Sequence, residues 1–192
     1  HILLSGEYAY KIKKPLNLGF LDFSSLDKRL FACEEEARLN RRLAPDIYLD
    51  VVSLAGSPDA PHINGAGMAF EYAVKMRQFP PEATLDQLDA NNRLTAQQVE
   101  SIARTVADFH LHRCAHAEAD SPWGEPKKIW HPVLQNFQQI APLLTDPADR
   151  RQLAALQDWC EAEHARLTPL MLARKRNGFV RECHGDLHLG NL

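Results

Sequence analysis

Apolar residues recur with two different periods along this chain, and the change falls at Pro80-Pro81. Before the prolines the runs are short and strand-like. Ile2–Leu4 and Tyr8–Ile12 flank Ser5-Gly6-Glu7, which predicts a hairpin with glycine free to take positive φ. Pro15 ends the second run. Ser24 or Ser25 is placed to cap a helix running to about Arg42, with Leu26, Leu30, Cys33 and Ala37 near helical spacing, and Pro45 stops it. Ile47–Leu54 is apolar and β-branched enough for a buried strand. Asn64-Gly65-Ala66-Gly67 offers a turn into a further strand over Met68–Phe79.

After the prolines the period becomes helical. Thr95-Ala96-Gln97-Gln98 has the form of a capping box, with Leu94 and Val99 as its staple. Val99, Ile102, Ala103, Val106, Phe109 and His110 follow on one stripe. Ser121–Pro132, rich in proline and tryptophan, reads as a loop. Asp146-Pro147 starts a helix through Leu153, Leu156 and Trp159, which Pro169 is expected to kink or restart. Gly178 suits the position after a helix end, and Phe179–Cys183 a short strand. The expected fold class is α+β: a strand-rich lobe over 1–79 (antiparallel strands plus one helix), a hinge at Arg77–Pro81, and a mainly helical lobe over 80–192.

Composition narrows the possibilities modestly. Of 192 residues 45% are hydrophobic and 24% charged, as in ordinary globular proteins. A formal net charge of -3 gives no electrostatic case for nucleic acid or an anionic membrane. The four cysteines lack C-x-x-C spacing, which favours reduced thiols and a cytoplasmic location. No run approaches the roughly 18 apolar residues of a membrane span, and His1-Ile2-Leu3-Leu4 is too short for a signal peptide. Lys11, Lys13 and Lys14 cluster in an otherwise apolar segment, either as a solvated strand edge or as a polyphosphate site.

The chemistry concentrates at the end of the chain. His184-Gly185-Asp186-Leu187-His188-Leu189-Gly190-Asn191 has the spacing of the kinase catalytic loop H-R-D-x-x-x-x-N. In that pattern the aspartate takes the proton of a substrate hydroxyl and the asparagine holds Mg²⁺. A free aspartate has a pKa of about 3.9, too low to deprotonate an alcohol outright. Asp186 would therefore orient the hydroxyl and accept its proton late. Asn191 would offer its carbonyl oxygen to Mg²⁺ while its amide braces the loop, and His184 would hold the loop by hydrogen bonds. The competing reading is a plain turn after a strand.

Lys11, in Tyr8-Ala9-Tyr10-Lys11, resembles the lysine of the V-A-I-K strand that reaches nucleotide phosphates. Lys13 shares its face at period two and is the reserve candidate. Glu36 is the expected anchor for the lysine, sharing an inward face with Leu39 and Leu43, while Glu34 and Glu35 meet solvent. Arg77-Gln78-Phe79 takes the place of a hinge whose backbone would bind adenine, or is simply a strand end. Zinc on Cys183, His184 and His188 is disfavoured, because Gly185 and Gly190 argue against a helix. His110, His112 and His116 are expected on one helix as surface or packing residues.

These residues together resemble the aminoglycoside phosphotransferase/choline kinase group of the protein-kinase-like superfamily. The likeness is carried by Gly6–Pro15, by Leu18-Gly19-Phe20-Leu21-Asp22-Phe23, by Glu71–Phe79 and by Arg181–Asn191. It implies a kinase-like fold using ATP and Mg²⁺. It further implies phosphoryl transfer to a hydroxyl of a small molecule such as an aminoglycoside, sugar or amino alcohol. Bacterial proteins of this kind often continue into a P-loop ATPase domain. Gly185 replaces the arginine of regulated protein kinases, which implies activity without a phosphorylated loop. The chain lacks the downstream metal-binding aspartate and the Gly-rich loop, so a truncated polypeptide with little turnover alone is expected. The alternative is a non-catalytic nucleotide-binding (pseudokinase) module serving an attached domain.

Overall fold

In the computed structural model residues 1–19 and 21–192 are described, so Phe20 of the Leu18–Phe23 run lies outside the described residues. The protein is a mixed α/β structure. Its chain divides into two compact units, one formed by His1–Phe109 with His184–Leu192, the other by His110–Cys183. The boundary at 79/80 read from the sequence marks where strands give way to helices. The first compact unit runs past it through two more helices and takes in the end of the chain.

In the first unit, β1 (Ile2–Ser5) and β2 (Tyr8–Ile12) form the expected hairpin around Gly6, whose φ is 59°. Helix α1 (Leu26–Asn40) is capped by Ser25, whose side chain accepts from the Lys28 amide. β3 (Tyr48–Ser57), β4 (Ala60–Ile63) and β5 (Glu71–Arg77) complete an antiparallel sheet in the order β1-β2-β5-β3-β4. Strand β4 was not anticipated, because all four of its residues are exposed and one is Pro61. Backbone pairing holds it to β3, and no apolar alternation announces it. Likewise β5 begins at Glu71 instead of Met68, whose side chain is 92% exposed.

Side-chain parity then decides which residues meet α1. Lys11 of β2 pairs with Val74 of β5, so odd residues of β2 share a face with even residues of β5. On that face Cys33 and Ala37 of α1 bury Val74, with Tyr48, Val51, Tyr72 and Met76 around them. Tyr10, Val52 and Ala73 form a second cluster with Tyr8 and Ile12.

The same unit contains α2 (Leu85–Ala90) and α3 (Ala96–Asp108). Both halves of the capping box form between Thr95 and Gln98. The expected apolar stripe is narrower than the sequence suggested: Val99 is 50% exposed, whereas Phe109 is buried. A π-turn over Phe109–Arg113 follows α3.

The second unit is built on α4 (Pro126–Ile140) and α5 (Pro147–Arg176). The expected loop over Ser121–Pro132 is therefore half helix. Pro126 sits at the helix start, where its missing N–H costs nothing, and Pro132 is carried inside. Phe137 is buried, and the Trp130 ring stacks on that of His164 at 4.9 Å, tying α4 to α5. Helix α5 also runs through Pro169 for 30 residues without the expected restart, with the Thr168 hydroxyl donating to the His164 carbonyl. Gly178 follows its C-cap at φ 71°, as expected. Phe179–Cys183 is not a strand. It makes a single bridge, Arg181 to His116, flanked by hydrogen bonds from the Ala117 amide to Val180 and from the Glu182 amide to Ala115. His110 and His112 lie in the π-turn and His116 beyond it, so the three do not share a helix. No described helix is long and apolar enough to cross a membrane, and the four cysteines form no disulfide.

Candidate functional site

The first group of expected residues meets on the α1 face of the sheet. Glu36 lies three residues past the fully buried Cys33 and so turns toward β2. Its Oε1 accepts from Lys11 Nζ at 2.8 Å, and its Oε2 accepts from Lys13 Nζ. Lys13 also lies over the Phe23 ring, 5.3 Å from its centroid. Burial, the largest influence on Glu36, pushes its carboxyl up, yet the two lysines together outweigh it and hold the group below its usual value. Burial likewise lowers Lys11, but its hydrogen bond and charge contact with Glu36 leave it raised. Two ammonium groups share one carboxylate, so the cluster keeps a surplus positive charge. Lys13 is 15% exposed and Lys11 42%, so Lys11 is the cation with access to solvent. Glu34 is exposed, and Glu35 is partly exposed and pairs with Arg38 at 2.8 Å.

Sequence reasoning missed what seats α1. Arg29 Nε stands 2.9 Å from both carboxylate oxygens of Glu71 at the start of β5, and its Nη1 donates to the Phe23 carbonyl at 3.1 Å. Both side chains are largely buried, 10% and 15% exposed. The signal was present: Arg29, Cys33 and Ala37 follow at steps of four, a charged residue on an inward stripe. A groove of about 670 Å³ runs beside the cluster, lined among others by Lys13, Phe23, Phe31 and Glu36.

The second group is the terminal loop, whose Leu192 carbonyl accepts from the Leu85 amide of α2 at 2.9 Å. Asn191 Nδ2 donates to the Asp186 carbonyl at 2.9 Å and to Asp186 Oδ2 at 3.1 Å. His184 Nδ1 accepts the Asp186 amide at 3.3 Å. His188 Nδ1 accepts the Gly190 amide at 3.1 Å, and its Nε2 stands 3.8 Å from Asp186 Oδ2. Gly185 takes φ 83°, a conformation that side chains strain to adopt. The Asn191 amide nitrogen is thus engaged by Asp186, while Asn191 Oδ1 accepts from no described residue. That oxygen is a hard donor of the kind Mg²⁺ takes. No described cluster of three or more His, Cys, Asp or Glu side chains forms a metal site.

Arg77 and Phe79, expected at a nucleotide hinge, lie at the end of β5. The Arg77 amide donates to Ile47 and the Gln78 amide to Glu7, so these two donors are already used inside the sheet. Arg77 Nη1 faces Glu7 at 3.9 Å, and Phe79 is 46% exposed. All the expected site residues fall in the first compact unit. Among the described residues, no hydrogen bond or ion pair joins the lysine cluster to the terminal loop.

An uncharacterized protein of Mycobacterium bovis is 27% identical to this chain over 190 residues. Uncharacterized proteins of two Mycobacterium tuberculosis strains match at the same 27%. The alignments take in 97% of this chain and 36% of each relative, so the chain spans about a third of the length of the curated relatives it matches. No protein-family model matches the chain, and no solved structure does.

Proposed function

We propose that this chain is the nucleotide-handling part of an ATP-dependent phosphotransferase acting on a hydroxyl of a small molecule, with a kinase-like arrangement of sheet, α1 and terminal loop. The observation that carries the reading is Glu36 seated between Lys11 and Lys13 with one ammonium in surplus. That is what a site must provide to hold one cation fixed while still attracting polyphosphate. The self-braced Asp186–Asn191 loop supports it from the other side of the reaction.

In this reading Lys11 meets the α- and β-phosphates of ATP, and Lys13 keeps Glu36 neutralised so that Lys11 is not withdrawn. Asn191 Oδ1 is the group that would hold Mg²⁺, which would supply charge neutralisation at the phosphates. Asp186 orients the acceptor hydroxyl. As the new oxygen–phosphorus bond forms, the bond from the γ-phosphorus to the β,γ-bridging oxygen breaks. The hydroxyl proton passes to Asp186, and ADP leaves. Aminoglycosides, sugars and amino alcohols are the acceptor class.

The test is Mg²⁺-dependent ATP turnover against a panel of small hydroxyl compounds, using a polypeptide extended to the length of the relatives. The expected result is turnover with at least one acceptor, falling 100-fold or more, on the order of a general-base contribution, in Asp186→Asn. Nucleotide binding without turnover on any acceptor would favour a non-catalytic module, and no nucleotide binding would reject both.

A further inference from the structure

The phosphoryl-transfer reading leaves His188 without a task, yet its ring is the most constrained imidazole of the loop. Nδ1 lies 3.1 Å from the backbone nitrogen of Gly190. A backbone N–H only donates, so Nδ1 must present its lone pair, and a neutral ring then carries its proton on Nε2. That assignment follows from the hydrogen-bond network. Nε2 faces Asp186 Oδ2 at 3.8 Å, about 1 Å longer than an ordinary N–H···O contact. The two side chains are 57% and 79% exposed. The same Oδ2 already accepts from Asn191 Nδ2 at 3.1 Å. One donor therefore already holds this oxygen and a second stands 3.8 Å from it, while the other oxygen, Oδ1, accepts from no described residue.

We infer that His188 is a positioning residue for Asp186. Its Nε2–H and the Asn191 amide pin Oδ2, which aims Oδ1 at the acceptor hydroxyl. The effect is orientational: a carboxylate held by one oxygen presents the other along a fixed line, and misalignment of a reacting group is costly in rate. The inference rests on the phosphotransferase reading for its function but not for its geometry.

Two measurements test it. Long-range ¹H–¹⁵N correlation of the histidine rings, followed to the pH above which the ring signals stop changing, reads the tautomer directly. The expected result is a single His188 tautomer protonated at Nε2, whose Nε2 signal shifts in both Asp186→Asn and Asp186→Ala while Nδ1 stays unprotonated. In the extended polypeptide, His188→Asn can still accept the Gly190 amide but cannot reach Asp186, whereas His188→Gln can reach it. The expected kcat falls at least tenfold in His188→Asn and is substantially restored in His188→Gln, with KM for ATP unchanged in both. A tautomer mixture indifferent to Asp186 overturns the inference whatever the activity, as does full kcat in His188→Asn. Absent turnover with the tautomer signature intact counts against the phosphotransferase reading instead.

Discussion

Glu36 sits where one carboxylate must satisfy two ammonium groups, and its titration follows from that. Its pKa is held below the ordinary glutamate range despite burial, so its contribution to stability is complete above that ordinary value. The contribution is lost as pH falls through the depressed one. Lys11 is raised, so its contribution is complete below the ordinary lysine value and lost as pH rises through the raised one. The cluster is thus fully effective across neutral pH. Glu36→Gln should lose about 1–3 kcal/mol at pH 7, a buried-pair cost discounted for the solvent access of Lys11. Its melting temperature should also fall less steeply than that of the natural sequence between pH 6 and pH 3, as thermal melts across that range would show. Gly124 makes a different demand. It has φ 76°, and a Cβ there would meet Val180 Cγ2 at 2.5 Å. Gly124→Ala should destabilise the second unit by about 1–3 kcal/mol, from backbone strain and overpacking together, read by denaturant unfolding. At this scale the sequence was informative wherever spacing is itself chemistry: Lys11 and Glu36 meet, and Asp186 and Asn191 meet. It marked Arg29 only as a charged residue on an inward stripe, because the partner Glu71 shows only when the sheet is built.

Helix α1 is held to the sheet by two charge clusters, Arg29–Glu71 near its start and Glu36 with its lysines near its end, with Cys33 and Ala37 packed between them. Arg29→Gln leaves the Glu71 carboxylate mostly buried and without its cation. The expected cost is about 2–4 kcal/mol. Amide hydrogen exchange should show α1 opening more readily than α3 in this variant. The elements themselves were legible where the cue is local: the Gly6 hairpin, the Ser25 cap, the Thr95–Gln98 box and the Asp146-Pro147 start all formed as read. Local cues misled where tertiary contacts decide. Pro126 and Pro132 looked like loop residues, yet the first is at home in a helix start and the second is carried by a helix anchored through Trp130 and Phe137. Strand β4 has no apolar face to advertise it, and Phe179–Cys183 found only one bridge where a strand needs a ladder.

At the scale of the whole chain, the end of the sequence returns to the compact unit that carries the sheet, after the helices of His110–Cys183. A boundary drawn from hydrophobic period alone could not show this, because period reports element type and not which elements cluster. The return places both groups of candidate residues in one unit, and the account needs both groups to act on a single triphosphate. The measurement that tests this most directly is an NMR titration with Mg²⁺ and a non-hydrolysable ATP analogue, following the amides of Tyr8–Lys14 and of His184–Leu192 together. The account predicts that both segments shift along one binding curve, and that Lys11→Met weakens both in parallel. Shifts confined to one segment, or none in either at millimolar analogue, would contradict it.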